Sequence, residues 1–239
     1  MRINWNNIKI VFLLVIVVFL YAFSSVRNGA RKITEPKIEF VGEQNLFITH
    51  DDVSKLLIQN QLGGLNITKE ALDLNGLEKR LLANPMIDSA EVYVSVNGEF
   101  TAKIKQKKPI ARVSTGQSFY IDSHGGVMPL SNNYTERVPL VTGAINKNEL
   151  ENVFIIANKV YNDEFLKKNV IQIHQKSDKT IELKLRQSDF VVQLGTLNHL
   201  DKKVNNLRAF YKKIIKDKAV NKYSKVNLQF DNQVVCTKV

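Results

Sequence analysis

The chain opens on a run of almost purely apolar residues, Ile8 to Phe23, interrupted only by Lys9. Carried on through Ser24, Ser25 and Val26, it is about 19 residues, or about 28 Å as a helix, close to the thickness of a hydrocarbon core. The pattern predicts a membrane span over residues 8–26, anchored by Ile8, Phe12, Leu14, Phe19 and Val26. Lys9 sits near one end, where its stem stays buried and its ammonium reaches the headgroups. Trp5 and Tyr21 fall where interfacial aromatics are common. The competing reading is a cleaved signal peptide with Ala22-Phe23-Ser24 as its small-x-small site, but the run is longer than the usual core of such a peptide. Residues 1–7 are then a cytoplasmic tail and 27–36 a short polar linker. Positive charge lies on both sides of the span, Arg2 and Lys9 before it and Arg27, Arg31, Lys32 and Lys37 after it, so flanking charge does not set the orientation.

Beyond the span the periodicity changes several times. Ile38, Phe40 and Val41 predict a strand ending at Gly42. Thr49 ahead of Asp51 and Asp52 predicts a capping box for a helix through Gln61, with Val53, Leu56, Leu57 and Leu62 as its apolar stripe and Gly63-Gly64 as its stop. Leu74, Leu77, Leu81 and Leu82 share one helical face, ended by Asn84-Pro85. Ala90, Val92, Val94 and Val96 then alternate with polar neighbours, as do Phe100, Ala102 and Ile104 after Asn97-Gly98. That is the signature of a two-residue hairpin with both central residues at positive φ. The order from Ile38 to Gln106 is β-α-α-β-β.

Pro109 begins a second region. Phe119–Asp122 and Val127–Leu130 flank Ser123-His124-Gly125-Gly126, a strand–turn–strand. Glu149–Val160 predicts a helix. Val170–His174, Thr180–Leu185 and Phe190–Leu194 predict strands, and Leu200–Ile215 an amphipathic helix with Leu200, Val204, Leu207, Tyr211, Ile214 and Ile215 on one side. Lys225–Val235 predicts a final strand with Val226, Leu228 and Phe230 inward. The fold class is α+β: one transmembrane helix, a β-α-α-β-β domain, and a mixed α/β second domain with a C-terminal antiparallel sheet.

Composition narrows the chemistry. A single Cys excludes an internal disulfide and a Cys-rich zinc module. The formal net charge of +11 favours acidic partners without choosing among them. It is unevenly spread: residues 43–99 carry nine acidic side chains against four basic, and residues 202–225 nine basic against Asp217. That basic helix reads first as a solvated face, then as a surface for anionic lipid or an acidic partner segment. His50, His124, His174 and His199 make no metal-ligand spacing. Asp122-Ser123-His124 holds triad residue types, but adjacency in sequence is turn chemistry and not a triad. Cys236 reads as a small packing residue. No catalytic, metal or cofactor residues are expected.

The ordered motifs resemble the FtsQ/DivIB family of bacterial division proteins. Ile38-Glu-Phe-Val-Gly42 is similar to the opening strand of its POTRA domain. Leu82-Ala-Asn-Pro85-Met-Ile-Asp-Ser-Ala90-Glu-Val92 is similar to its step into the second strand. Lys108-Pro109-Ile-Ala-Arg112 and Tyr120-Ile-Asp122-x-x-Gly125 with Pro129 resemble its junction and hairpin, and Arg137-Val-Pro139-Leu-Val-Thr-Gly143 is similar to its P-hydrophobic-hydrophobic-x-G pattern. Leu194-Gly195, Lys202/Lys203 and Tyr223-x-Lys-Val-Asn-Leu-Gln-Phe230 complete the series. Two departures stand out. Gln106-Lys107-Lys108 occupies the junction where the family often has an acidic residue, and Thr237-Lys238-Val239 follows the last strand where it often has an aromatic one.

The resemblance implies a POTRA domain over residues 37–107 and an FtsQ-type β domain over 108–239. It implies a non-enzymatic scaffold of the inner membrane, single-pass, with both domains periplasmic, at the division septum. Such a scaffold binds FtsB-like and FtsL-like division proteins and links early to late components, with no cofactor, metal or nucleic acid. It further implies strand addition at the C-terminal strand, through Tyr223, Val226, Leu228, Phe230, Asp231, Asn232, Gln233, Val234, Val235 and Cys236. An edge strand offers the unpaired N–H and C=O groups that strand addition needs. The alternative is a POTRA-bearing envelope chaperone or export component that would use the first domain's sheet edge.

Overall fold

The structure is a computed structural model and describes residues 5–29, 36–42, 45–58, 72–230 and 233–239. The chain divides into two compact units, Met1–Gln106 and Lys107–Val239.

The first unit begins with helix α1 (Trp5–Gly29). Its stretch Ile8–Gly29 has a mean hydropathy of 2.5 and is long and apolar enough to cross a membrane. Ile8, Phe12, Leu14, Phe19 and Val26 are all exposed on it, as a lipid-facing surface requires. The helix continues past Val26 through Arg27 to Gly29, so the start expected as linker is helical. The rest of that linker, 30–35, and most of the expected tail lie outside the described residues.

A small α+β body follows. Strands β1 (Lys37–Val41), β2 (Ile87–Val94) and β3 (Phe100–Gln106) form a sheet in the order β1-β3-β2. Strand β1 runs parallel to β3, and β2 antiparallel to it. Helix α2 (His50–Ile58) starts on the expected capping box: the Thr49 N–H donates to Asp52 Oδ2 at 3.0 Å, and the Asp52 N–H to Thr49 Oγ1 at 3.2 Å. The expected continuation to Gln61, with Leu62 and Gly63-Gly64, lies outside the described residues. Helix α3 (Leu74–Leu82) is capped by Asp73, whose Oδ1 accepts from the Gly76 N–H. Val53, Leu57, Leu77 and Leu81 are buried, as are Ile87, Val92, Phe100, Ala102 and Ile104 of the sheet.

Three local expectations change here. Leu82 is 47 % exposed, since the apolar stripe of a nine-residue helix narrows at its end. Val96 is exposed and belongs to the loop. The hairpin is not a two-residue turn. Gly98 N–H donates to Ser95 C=O, Ser95 N–H to Glu99 C=O, and only Gly98 takes positive φ (88°). This is a three-residue loop whose left-handed glycine forms a bulge, the next commonest hairpin solution. Buried Gln106 closes the unit: its Oε1 accepts from the N–H groups of Phe47 (2.9 Å) and Ile48 (3.2 Å), and its Nε2 donates to Ile48 C=O (2.9 Å).

Among the described residues the second unit is one nine-stranded sheet with three α-helices. Its strands are β4 (Pro109–Thr115), β5 (Gln117–Asp122), β6 (Val127–Met128), β7 (Leu140–Gly143), β8 (Val170–Gln175), β9 (Ile181–Leu185), β10 (Val191–Gly195), β11 (Tyr223–Asn227) and β12 (Val235–Lys238). They lie in the order β12-β11-β10-β9-β8-β7-β4-β5-β6. Most pairs are antiparallel, but β4–β7, β7–β8 and β10–β11 are parallel, so the C-terminal part is mixed and not purely antiparallel. Helices α4 (Glu151–Asn162), α5 (Glu164–Asn169) and α6 (Leu200–Lys216) join the sheet in one apolar cluster that includes Ile156, Leu166, Ile173, Leu183, Val192, Leu207 and Val226. On α6, Val204, Leu207, Tyr211 and Ile214 are buried as expected. Ile215 is 46 % exposed, and Lys203 is buried in its stead. The Lys203 ammonium donates to the C=O groups of Leu194 (3.0 Å) and Thr196 (2.7 Å), tying α6 to the end of β10. Gly143 (φ 100°) ends β7 where a Cβ would stand 2.0 Å from Gln175 C=O, so only glycine fits.

Candidate partner interface

The C-terminal run folds as two strands, which corrects the single strand expected over Lys225–Val235. Strand β11 pairs on one side with β10, Val192 opposite Val226, and on the other with β12, Val226 opposite Cys236. Tyr223 and Val226 therefore belong to an interior strand whose two edges are both occupied. Leu228 is buried and its N–H donates to Gln193 C=O at 2.9 Å. The Gln229 N–H then donates to Asn227 Oδ1 at 2.9 Å, a local side-chain turn that takes the chain out of the sheet. Phe230, expected inward, is 47 % exposed beyond that turn. Asp231 and Asn232 lie outside the described residues, and Gln233 is exposed.

The open edge belongs to β12. Val234 and Cys236 pack against the core, while Val235 is exposed. Thr237 and Lys238 complete the edge; the alternation ending at Cys236 missed them, although the short run Val235-Cys236-Thr237 carried the β-branched signal. Burial pushes the Cys236 thiol up from its ordinary pKa, which disfavours the nucleophilic thiolate. Lys222, Lys225 and Lys238 are exposed close by in the chain or across the pairing, giving this end of the sheet a positive surface.

Asp122 is engaged by the backbone of the turn between β5 and β6. Asp122 is 1 % exposed. Its Oδ1 accepts from the N–H groups of His124 (2.9 Å) and Gly126 (2.8 Å), and its Oδ2 pairs with the Lys107 ammonium at 2.8 Å. Burial pushes this carboxyl up, but the Lys107 contact and the two backbone donors outweigh it and hold the group below the ordinary aspartate range. The carboxylate therefore acts as the turn's anchor. His174 Nδ1 lies 3.0 Å from Thr142 Oγ1, which also accepts from Gln172 Nε2, a polar contact across β7 and β8. Among the described residues no three His, Cys, Asp or Glu side chains converge as metal ligands.

The model of the family described as FtsQ/DivIB, C-terminal related, matches residues 108–237, from the head of β4 into β12. The chain belongs to that family. A POTRA-like domain model matches residues 38–105, the body built on β1, β2 and β3. The chain is also similar to the cell division protein FtsQ of Geotalea daltonii, 23 % identical over 180 residues. That likeness covers 70 % of this chain and 64 % of the relative, so the chain spans less than two thirds of the relative's length. FtsQ/DivIB membership supports a role in cell division, and the resemblance seen in the ordered motifs stands. The FtsQ/DivIB match takes in all nine strands of the second sheet and stops inside β12, so the open edge falls within the matched region.

Proposed function

We propose that this chain is a non-catalytic division scaffold that receives an extended segment of a partner along the open edge of β12. Helix α1 holds it in the inner membrane as a single-pass protein, with a POTRA domain (37–107) and an FtsQ-type β domain (108–239) in the periplasm at the septum. The partners are FtsB-like and FtsL-like division proteins, and the scaffold links early to late components. The observation that carries the reading is β12 itself: a short terminal strand of a nine-stranded sheet, paired among the described residues to β11 alone, with exposed Val235 and Lys238. Main-chain bonds along it supply affinity, the outward side chains supply selectivity, and nearby lysines steer acidic partner residues. Of the residues expected to meet the partner, Val235 and Cys236 lie on this edge, whereas Tyr223 and Val226 support it from β11.

The test removes one main-chain N–H at a time by placing proline at Val235, Cys236, Thr237 and Lys238 in the full chain. Capture of FtsB-like and FtsL-like segments is measured for each variant. The two positions whose N–H groups face outward alternate with the two that face β11, so binding is expected to fail at alternate positions while the thermal midpoint holds there. Undiminished capture in all four variants defeats the strand-addition reading.

A further inference from the structure

We propose that the second unit holds a phosphate-ester site between α5, the end of β9 and the C-terminal half of α6. A cavity of about 1010 Å³ is lined there by Lys167, Lys168, Arg186, Arg208 and Lys212, with Glu164 as its one carboxylate and Phe165 and Tyr211 among its apolar walls. Helix geometry assembles it. Arg208, Tyr211, Lys212 and Ile215 fall at i, i+3, i+4 and i+7 of α6, and Glu164, Lys167 and Lys168 at i, i+3 and i+4 of α5. The backbone N–H of Arg186 donates to Asn169 C=O at 2.7 Å, which holds the end of β9 against the end of α5.

Two of the cations have other engagements. Arg208 pairs with Asp163 at 2.6 Å and lies over the Phe165 ring, and Lys167 lies over Tyr161. Lys168, Arg186 and Lys212 are exposed and make no ion pair among the described residues. Like charges gathered in one concavity repel each other, and an anion relieves that cost. The second observation is independent of charge. Tyr211 is 8 % exposed, its ring packs edge-on to Phe165 at 5.5 Å between centroids, and its hydroxyl is buried without a hydrogen-bond partner among the described residues. Orphaned buried hydroxyls are rare, and the side chain that carries this one lines the basic cavity.

The arrangement favours phosphate over a protein carboxylate. A phosphoryl group offers three oxygens, enough for a guanidinium fork, ammonium groups and a phenolic O–H together, whereas a carboxylate offers two. Its volume of about 1010 Å³ is that of a pocket for a small molecule. The Tyr211 hydroxyl is closed off in the ligand-free state, so an oxyanion meets the exposed cations first and reaches the phenol only after the side chains around it shift.

Glycerol 3-phosphate is the probe, titrated by calorimetry into the full chain held in phosphatidylcholine nanodiscs. Saturable binding is expected. The Arg186→Gln/Lys212→Gln pair is expected to weaken it by at least about tenfold. Tyr211→Phe removes only the hydroxyl; it is expected to weaken binding by about threefold while leaving the ligand-free thermal midpoint in place. Phosphatidylglycerol added to the discs separates the sources: competition with the soluble probe assigns the site to a lipid headgroup, and its absence to a soluble ester, both with the site intact. No saturable binding, equal binding by the variants, or a Glu-rich peptide that binds where glycerol 3-phosphate does not overturns the proposal.

Discussion

Asp122 shows how one side chain can hold a turn. Its carboxylate satisfies two backbone donors and one ammonium from a site almost closed to water. Asp122→Ala leaves His124 N–H, Gly126 N–H and the Lys107 ammonium without their acceptor, and is expected to cost about 2–3 kcal/mol in chemical denaturation. Asp122→Asn keeps an oxygen for the backbone donors and should lose about half as much. The sign of the pH dependence follows from the lowered carboxyl. Its contribution is whole above the unfolded value of about 4, declines as pH falls below it, and is gone once pH passes below the folded value. The slope of stability between pH 5 and 2 should therefore flatten in Asp122→Asn; an unchanged slope would assign the acid sensitivity elsewhere. Backbone partners two to four positions away make this residue and the Thr49–Asp52 box legible from local spacing. Gln106 was not legible, because the groups it satisfies lie 58 and 59 positions away, and nothing local distinguishes it from a surface glutamine.

At the scale of elements, alternation and helical spacing located most strands and helices but not where they stop. Strand β4 reads in sequence as a domain junction because Pro109 opens it, β7 is only four residues long, and six-residue α5 is too short for a periodic stripe. The terminal pair was read as one strand because alternation runs on past Asn227. The break is made by a side chain, Asn227 Oδ1 on the Gln229 N–H, which no hydropathy pattern records. Edges are equally invisible in sequence, and the first sheet manages one of its own. Glu78 of α3 reaches across to accept the Val92 N–H at 2.8 Å, occupying a donor in the middle of edge strand β2. This blunts strand addition there, the surface an export chaperone would use. Glu78→Ala is expected to speed exchange of the Val92 amide by about tenfold or more, and Glu78→Gln by much less. Equal rates by NMR in all three proteins would remove the glutamate from any guarding role.

For the whole molecule, charge and anchor act together. Nine basic side chains against one acidic in residues 202–225, beside an acidic surplus in residues 43–99, give the two units different preferences for partners. The flanking charges of α1 leave the orientation open, so it is read from function and tested directly. Alkaline phosphatase fused after Val239 is expected to be active in living cells and β-galactosidase at the same place inactive; the reverse pattern would put both units in the cytosol and end the periplasmic reading. The larger sheet also has two unlike ends. At one, β12 presents four residues; at the other, β6 has only two, Val127 and Met128. A ribbon with two long bare margins would let copies queue head to tail into a fibre. Here one margin is too brief to template a neighbour, so a guest paired along β12 would leave no second margin of that length, and such a molecule would be a terminus rather than a link in a polymer.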